Sequence, residues 1–273
     1  MPERDVVDRS EAPLAVASLT EQMRACGVAP GQTIMAHVAM SKLGWVIGGA
    51  EAVILALIEA AGDDGTIVMV TNSSNNTDPA EWRHPPVPEQ WWQTIRDHTP
   101  AYDPMTTQTR GVGAVAELFR TWPGAMRSPH PAFSLAALGP HADHITAEHL
   151  PGDEMGDQSP VGKVYDLDGH VLLLGVDHSS NTSLHLAEAR AGYPGCRKVR
   201  TGSAMLVDGR REWVAYDGWE CDLEDFAEIG DAFNAEHEIV LHRVGAADTR
   251  FFRQRPVVDF GAQWMRSHRR PLA

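Results

Sequence analysis

The run from Val171 to Val176 constrains the fold most, because six apolar or glycine residues follow one another without a polar interruption. Such a run is typical of a strand buried on both faces, in a sheet covered by helices. The polar residues 177–182 offer several helix caps, and a helix is predicted after them. His185 would lie in its first turn, at the carboxyl end of a buried strand. Ligands collect at such strand ends in open α/β sheets.

His185 has two interpretations at this stage. As a general base, its imidazole needs a carboxylate to orient it. Two are within reach, Glu188 three residues further along the helix and Asp177 in the preceding turn. The alternative is a helix histidine that is simply hydrogen-bonded to a neighbour. The sequence does not say which carboxylate contacts the ring.

Helical and strand patterns alternate along the chain. Helices are predicted over 16–26, 49–61, 89–98, 114–122, 141–149, 162–165, 225–236 and 257–266, and strands over 33–38, 66–70, 133–138, 171–176, 199–207, 212–216 and 237–244. Strand, helix and strand joined by short turns favour right-handed crossover units. The turn Asp208-Gly209-Arg210 indicates a hairpin. We therefore predict an α/β fold with a mixed, mainly parallel central sheet and an added antiparallel hairpin.

Net charge limits the partners. The 273 residues carry a formal charge of −14, which argues against nucleic acid and anionic membranes and suits a cationic small molecule. Solubility alone explains the charge equally well. Cys26, Cys196 and Cys221 are odd in number and widely spaced, which fits a reducing cytoplasm better than a disulfide framework. No apolar stretch is long enough to span a bilayer.

Residues 71–109 differ in composition from the rest, being rich in Asn, Pro and Trp. A segment this long inside a folded domain is usually functional or disordered, and its tryptophans argue for order. We predict that it forms a wall or lid of a ligand site, with Asp78 and Glu81 as candidate contacts for a cation. A purely structural excursion remains an equal alternative.

Other chemistries have weaker support. The histidines within 141–149 lack the spacing of a zinc site and are better explained as a solvated helix face. The acidic neighbours of Cys221 disfavour a thiolate, and no GxSxG elbow, Walker loop or GxGxxG fingerprint is present. The glycines at 48–49 and 111–113 precede helices and could present backbone amides to a phosphate-bearing cofactor.

Several separated motifs resemble one known family. They are His37 with Ser41, Leu43 and Gly44, the run GGAEAVILAL, the segment TRGVGAVAELFRTWPGAMRSPHP, and LLLGVDHSSNTSLHLAEAR. In this order, from about Val28 to about Gly195, they are similar to the aminoglycoside 3-N-acetyltransferases of the antibiotic acetyltransferase superfamily. The resemblance implies a three-layer α/β/α sandwich distinct from GNAT enzymes, with acetyl-CoA as donor. We predict one such domain over residues 1–273, and from the missing ligand motifs we predict no metal.

The resemblance also implies residue roles. His185 would be the catalytic base, supported by Glu188, and His37 would assist catalysis or position the thioester. A coenzyme tunnel would be lined by Ser41, Lys42, Leu43, Gly44, Thr109, Arg110, Gly111, Val112, Gly113, Arg127, Ser128, His130 and Pro131. One departure is evident: relatives often have HSS after the first strand, whereas this chain has HVAMS. The hydroxyl side chains that directly follow the histidine in those relatives are absent here.

Charge suggests how the acceptor is held. Aminoglycosides carry several ammonium groups, so we predict substrate contacts at Asp78, Glu81, Asp177, Asp217 and Glu220, although each could instead face water. The predicted reaction is direct acetylation of the 3-amino group of the deoxystreptamine ring. Two alternatives stay open, another amine-bearing metabolite as acceptor and a cation-binding protein without turnover. We expect a monomer or homodimer, with no nucleic-acid or membrane partner.

Overall fold

In the computed structural model, which describes residues 3–193, 197–220 and 222–269, helices and strands alternate along most of the chain. Gly195, Cys196 and Cys221 lie outside the described residues. The helices are α1 Glu3–Arg9, α2 Val16–Ala25, α3 Met40–Leu43, α4 Gly49–Ala61, α5 Trp92–His98, α6 Gly113–Phe119, α7 Ala142–Thr146, α8 Pro160–Asp166, α9 Ser183–Ala191, α10 Phe226–Glu236 and α11 Gln254–His268. The strands are β1 Thr33–Val38, β2 Thr66–Val70, β3 Met126–Arg127, β4 Leu135–Leu138, β5 His170–Leu174, β6 Lys198–Val207, β7 Arg210–Trp219, β8 His242–Val244 and β9 Ala247–Arg253.

Seven of these strands form the central sheet, in the order β3-β4-β2-β1-β5-β9-β8. The three middle strands β2, β1 and β5 are parallel, whereas β4 and β9 pair antiparallel to their neighbours. Because β3 and β8 reverse direction once more, five of the seven strands point the same way. The predicted mixed, mainly parallel sheet is confirmed.

The middle strands bury both of their faces. Successive side chains of a strand point to opposite sides of the sheet. Ile34 of β1 packs in a core with residues of α2, α4 and α6, while Met35 packs in a second core with residues of α8 to α11. Leu172 and Leu173 of β5 are divided between the two cores in the same way. This alternation produces three layers, and the expected α/β/α sandwich is confirmed.

Strand register brings the candidate residues to one edge of the sheet. Val38 at the end of β1 pairs with Leu174 at the end of β5, and His37 pairs with Leu173. The parallel β2 ends on the same side at Val70. The segments that leave these three strands therefore start side by side, and they can form a common cleft.

The predicted hairpin is confirmed, but it does not extend the central sheet. β6 and β7 pair antiparallel from Lys198 opposite Trp219 to Val207 opposite Arg210, as a separate two-stranded sheet. Asn76 connects it to the 71–109 segment, since its Oδ1 accepts a hydrogen bond of 2.9 Å from the amide of Ala204. The hairpin thus covers the long loop.

The carboxyl-terminal part differs from the prediction. A strand was expected over 237–244, but β8 begins only at His242 and the seven-residue β9 follows it. β9 pairs along the whole of β5. The sequence ADTRFFR does not indicate a strand inside the sheet, because charged residues interrupt its apolar pattern. Thr249 and Phe252 are nevertheless buried. The last helix accordingly starts at Gln254 rather than near Val257.

The packing of α10 against the turn after β5 generates a testable prediction. A β-carbon added at Gly230 would lie 2.0 Å from Cγ of the buried His178. Gly230→Ala should lower the free energy of unfolding by about 1–3 kcal/mol, because overpacking exceeds the helix-propensity gain of about 1 kcal/mol. Chemical denaturation measures this difference. The exposed substitution Glu228→Ala in the same helix should change it by less than about 0.5 kcal/mol. Unchanged stability in Gly230→Ala would contradict the close approach.

Candidate active site

A cleft of about 530 Å³ opens at the carboxyl ends of β1, β2 and β5. Its walls come from the strand ends, from the loop before α6, from the turn before α9 and from the start of α10; they are Ala36, His37, Val38, Ala39, Met69, Val70, Asn72, Gly111, Val112, Gly113, Ala116, Val176, Ser179, Ser180, Asn181, Thr182, His185, Leu223 and Phe226. Both histidines singled out by the sequence lie on this wall.

His185 is held in the first turn of α9. Asn181 helps to start that helix, since its Oδ1 accepts a hydrogen bond of 3.1 Å from the amide of Ser183. The imidazole is 18% exposed, and its Nδ1 lies 3.4 Å from Oε2 of Glu188. Phe226 packs edge-on against the ring at 4.9 Å between centroids. Contact with Glu188 through Nδ1 leaves Nε2 as the nitrogen available to a ligand.

Glu188, not Asp177, is the carboxylate in contact with His185. The Asp177 carboxylate instead accepts hydrogen bonds from the Ser179 hydroxyl and, at 2.9 Å, from the Ser179 amide; the hydroxyl first and then the amide lower the pKa of Asp177. Glu188 is buried, with a side chain only 4% exposed. Burial acts to raise its pKa, but hydrogen bonds from His185, the Asp222 amide and another cation outweigh burial and lower it.

That cation is Arg269, whose Nη1 donates a hydrogen bond of 2.6 Å to Oε1 of Glu188. The Tyr193 hydroxyl donates to the same oxygen at 3.1 Å, and the Asp222 amide does so at 3.0 Å. The sequence analysis did not identify these partners. Arg269 is 81 residues from Glu188, and no local spacing signals a contact at that distance along the chain.

His37 sits in a different environment from His185. It is 9% exposed, and its Nε2 is buried without a hydrogen-bond partner within the described parts of the chain. Burial lowers the pKa of His37 to about 4, and the nearby His178 acts in the same direction. The ring is therefore neutral at neutral pH and carries one N–H donor. A buried, unpaired nitrogen in a cleft wall suits a polar ligand group.

A small cavity adjoins the cleft at His185. It has a volume of about 10 Å³, which is near the least that one water-sized group needs. Its walls are acidic and aromatic: Glu154, Met155, Gly156, His185, Glu188, Ala189, Trp219 and Glu220. Glu154 is 5% exposed, and burial raises its pKa. Glu220, a predicted substrate contact, lies here and also pairs with Arg197.

The predicted coenzyme contacts around α6 lie at the cleft or near it. Gly111, Val112 and Gly113 line it. The amide of Arg110 donates a hydrogen bond of 2.8 Å to the carbonyl of Asn72, another wall residue, and the Thr109 amide donates to Glu117 at 2.8 Å. The loop is thus anchored at its start, and its glycines leave the cleft open.

The predicted contacts after β1 form α3 and its end. Ser41 and Lys42 are exposed, whereas Leu43 is buried in the core shared with α4. Gly44 ends the helix with φ of 100°, a conformation that favours glycine. None of these four residues is on the cleft wall, so the structure does not place them in direct contact with its interior.

The segment from Arg127 to Pro131 is partly buried, with Arg127 half-buried and Pro129 exposed. The Arg127 guanidinium donates to the carbonyls of Thr71 at 2.6 Å and Thr107 at 2.5 Å. Ser128, His130 and Pro131 are buried. Arg127 thus braces the 71–109 segment, whereas the Ser128 and His130 side chains form hydrogen bonds outside it. None of these predicted contacts lines the cleft.

The remaining predicted acidic contacts are dispersed. Asp78 forms a bidentate ion pair with Arg96, at 3.0 and 2.7 Å, that holds the long loop together. Asp217 is exposed and pairs with Arg200 at 3.1 Å. Glu81 lines a separate depression of about 250 Å³, together with Arg83 and Arg110. The structure therefore brings only Glu220, of the five predicted acids, next to the His185–Glu188 pair on a cavity wall.

Residues 3–193, 197–220 and 222–269 contain neither a metal-binding cluster nor a membrane-spanning helix. They contain no group of three or more His, Cys, Asp or Glu side chains arranged to hold a metal ion. They also contain no helix with both the length and the apolar character that crossing a membrane requires.

The lowered pKa of His37 generates a prediction about acid stability. Between pH 6.5 and about 4 the unfolded chain binds this proton and the folded chain does not, so stability falls as the pH drops. His37→Gln should reduce the loss of unfolding free energy between pH 7 and 4 by ~3 kcal/mol. Urea denaturation across this range tests it, with exposed His98→Gln as control. The same acid dependence in wild type and His37→Gln would refute the assignment.

Known proteins match this chain over most of its length. Residues 35–266 match the family described as Aminoglycoside 3-N-acetyltransferase. The YokD protein of Bacillus subtilis, an SPbeta prophage-derived aminoglycoside N(3')-acetyltransferase-like protein, is 42% identical over 96% of both chains. Its crystal structure has a TM-score of 0.94 at 41% identity, covering 97% of this chain and 98% of that one.

Two further relatives also match this chain over nearly its whole length. Aminoglycoside N(3)-acetyltransferase VII of Streptomyces paromomycinus is 38% identical over 97% of this chain and 96% of its own. The structure of AAC-IIIb in binary complex with CoASH has a TM-score of 0.84 at 29% identity, covering 96% of this chain and 100% of that one. By sequence match and by fold, the chain belongs to the aminoglycoside 3-N-acetyltransferase family.

Proposed function

We propose that the protein transfers the acetyl group of acetyl-CoA to the 3-amino group on the deoxystreptamine ring of an aminoglycoside. The observation that carries this proposal is the position of His185. It lines both the large cleft and the small acidic cavity, and Glu188 contacts one of its nitrogens. A general base between a space for the thioester and a space for an ammonium group is what amine acetylation requires.

The cleft fits the donor in shape and in lining. Val38, Val70 and Val112 give it apolar walls, and the loop glycines add no side chains that would fill it. The cleft combines these apolar walls with the polar side chains of residues 179–182, which suits an extended pantetheine arm that carries two amide groups. The unpaired Nε2 of His37 can serve the thioester end. The bound CoASH of the related AAC-IIIb supports the same choice of donor.

The two nitrogens of the His185 imidazole have different roles in the proposed reaction. Acetyl-CoA supplies an acyl carbon activated as a thioester. An amine is largely protonated at neutral pH, so it cannot attack until a proton leaves. His185 takes this proton at Nε2 while Glu188 holds the Nδ1–H tautomer. The amine nitrogen then bonds to the acyl carbon, and the carbon–sulfur bond breaks. His185 returns the first proton to the departing sulfur, and the second proton, which the nitrogen loses as it becomes an amide, passes to solvent.

His37 would act on the oxygen of the thioester. Negative charge develops there as the amine attacks, and a fixed N–H donor stabilises it by roughly 2.7–4 kcal/mol when well placed. A neutral imidazole is suited to this role because it needs no counter-ion in a buried site. The lowered pKa of His37 supports the assignment.

The small acidic cavity, at about 10 Å³, would receive one ammonium group of the acceptor rather than the whole molecule. Glu154 and Glu220 face it beside His185, and the chain as a whole carries a charge of −14. Both features favour a substrate with several ammonium groups. Asp217 lines neither cavity, so we now favour Glu220 of the two hairpin acids.

Three sequence-based expectations stay predictions. We propose one domain, because both cores share one sheet. We propose a cytoplasmic location, which the free thiol of Cys26 supports. We expect a monomer or a homodimer in solution, which size-exclusion chromatography with light scattering would determine.

The first test of the function is thiol release from acetyl-CoA in the presence of gentamicin. Wild type should release CoA, and NMR of the product should locate the acetyl group on the 3-amino nitrogen. His185→Gln should lower kcat by on the order of a hundredfold or more, because a general base is lost. The exposed control His98→Gln should retain wild-type turnover. No release with any aminoglycoside, while acetyl-CoA still binds, would exclude this acceptor and favour another amine-bearing metabolite.

A second test addresses the acceptor side. Glu220→Gln should raise KM for the aminoglycoside roughly two- to fivefold, the range of one partly exposed charge pair, and leave KM for acetyl-CoA unchanged. Asp217→Asn is the matched control, since Asp217 is on β7, three residues before Glu220, and lines neither cavity. Equal drug KM values in the two variants would remove Glu220 from the acceptor site.

A further inference from the structure

Arg269, which follows α11, joins three separate parts of the chain behind the His185–Glu188 pair. Its side chain is 7% exposed. Nη1 donates to Oε1 of Glu188 at 2.6 Å, while Nε and Nη2 donate to the Asp225 carboxylate at 2.7 and 2.6 Å. Nη2 also donates to the carbonyl of Asp222 at 2.8 Å, and the guanidinium lies 4.9 Å from the centre of the Tyr193 ring.

The two oxygens of Glu188 consequently have different partners. Oε2 faces Nδ1 of His185 at 3.4 Å. Oε1 accepts hydrogen bonds from Arg269, from the Tyr193 hydroxyl and from the Asp222 amide. With Oε1 held in place, rotation of the carboxylate is blocked, and Oε2 stays directed at the histidine. The Arg269 guanidinium thus fixes the geometry of the His185–Glu188 pair by binding Glu188 alone.

Arg269 also divides its positive charge between two carboxylates. A cation at 2.6 Å offsets part of the negative charge that Glu188 presents to His185, and Asp225 competes for the same cation. Along this chain of contacts the charges alternate in sign, from a protonated His185 to Glu188, then Arg269 and then Asp225. Neutralising Arg269 and neutralising Asp225 should have opposite effects on the histidine.

We propose that Arg269 is a positioning residue that sets the strength with which Glu188 acts on His185, and that Asp225 limits its effect. This inference rests on the proposed function, since it assigns work to the base of that reaction. Other charged or titratable groups face the pair from neighbouring elements, and they stay constant in the variants below: Glu154 and Glu220 across the small cavity, His37 and His178 by the cleft, Tyr193 and Asp222.

The test is an NMR titration of the His185 ring in the full-length protein, with its signal assigned by comparison with His185→Gln. Arg269→Met leaves Glu188 with its full charge toward the imidazolium, so the titration midpoint should rise by about one pH unit. Asp225→Asn leaves Arg269 to Glu188 alone, so the midpoint should fall, by a smaller amount. Arg269→Lys keeps the charge and should keep the midpoint closer to that of wild type than Arg269→Met does.

Arg190→Met is the matched control. Arg190 is on the same helix as the pair, forms an ion pair of 2.7 Å with Asp157 and stacks on Tyr165 at 3.9 Å. Arg190→Met therefore removes comparable packing and charge. Among the described residues, Arg190 forms its ion pair with Asp157 and not with Glu188. Its midpoint should equal that of wild type. A shift in Arg190→Met as large as that in Arg269→Met would assign the effect to general loosening of α9 and overturn the proposal.

Opposite shifts in Arg269→Met and Asp225→Asn support the inference, while shifts of the same sign, or none, refute it. If Arg269→Met does not fold, the downward shift in Asp225→Asn decides alone. The acidic limb of the pH profile of kcat/KM should move with the NMR midpoint in each variant. Because the titration needs no turnover, a wild type without activity would refute the proposed function and leave this test of the charge network intact.

Discussion

The buried carboxylate of Glu188 is the interaction on which the site depends. An ionised group taken out of water must be compensated by charge and hydrogen bonds, or it becomes neutral. Here the compensation comes from α9 itself, from the residues after it, from the start of the α10 segment and from the end of α11. Removing one partner of such a buried pair costs about 3–5 kcal/mol. The proposed base, His185, is thus held through Glu188 by residues that include two distant in sequence, Asp222 and Arg269.

The location of this carboxylate is in turn a consequence of the sheet. β1, β2 and β5 are parallel and buried on both faces, so their connections have to cross over the sheet as helices. All three strands then end on the same side, and α9 starts there at Ser183. A cleft forms at that edge because adjacent strands lead into connections on opposite faces of the sheet. What the sequence adds is a histidine in the first turn of the helix and glycines in the facing loop.

Local signals account for what could be predicted. The bounds of β1, β2 and α4 agree with those expected, because apolar runs and glycine stops mark them. The contact between His185 and Glu188 was predictable as well, since residues three apart on a helix are neighbours. Residues that meet only through tertiary structure were not. β9 conceals its strand pattern behind charged residues, and Arg269 gives no hint of its partner. Arg127 resembled a ligand contact, but backbone carbonyls and hydroxyl groups occupy its donors.

The two histidines of the cleft show how environment separates the roles of identical side chains. His37 is enclosed by apolar strand residues next to another imidazole, so protonation would place an uncompensated charge in the core. His185 lies three residues before Glu188, on the same face of the helix, and Glu188 is placed to stabilise an imidazolium there. One ring is therefore restricted to hydrogen bonding as a neutral group, whereas the other can accept and return a proton. The proposed acyl transfer uses one group of each kind, and a single sheet edge brings both together because β1 and β5 are adjacent.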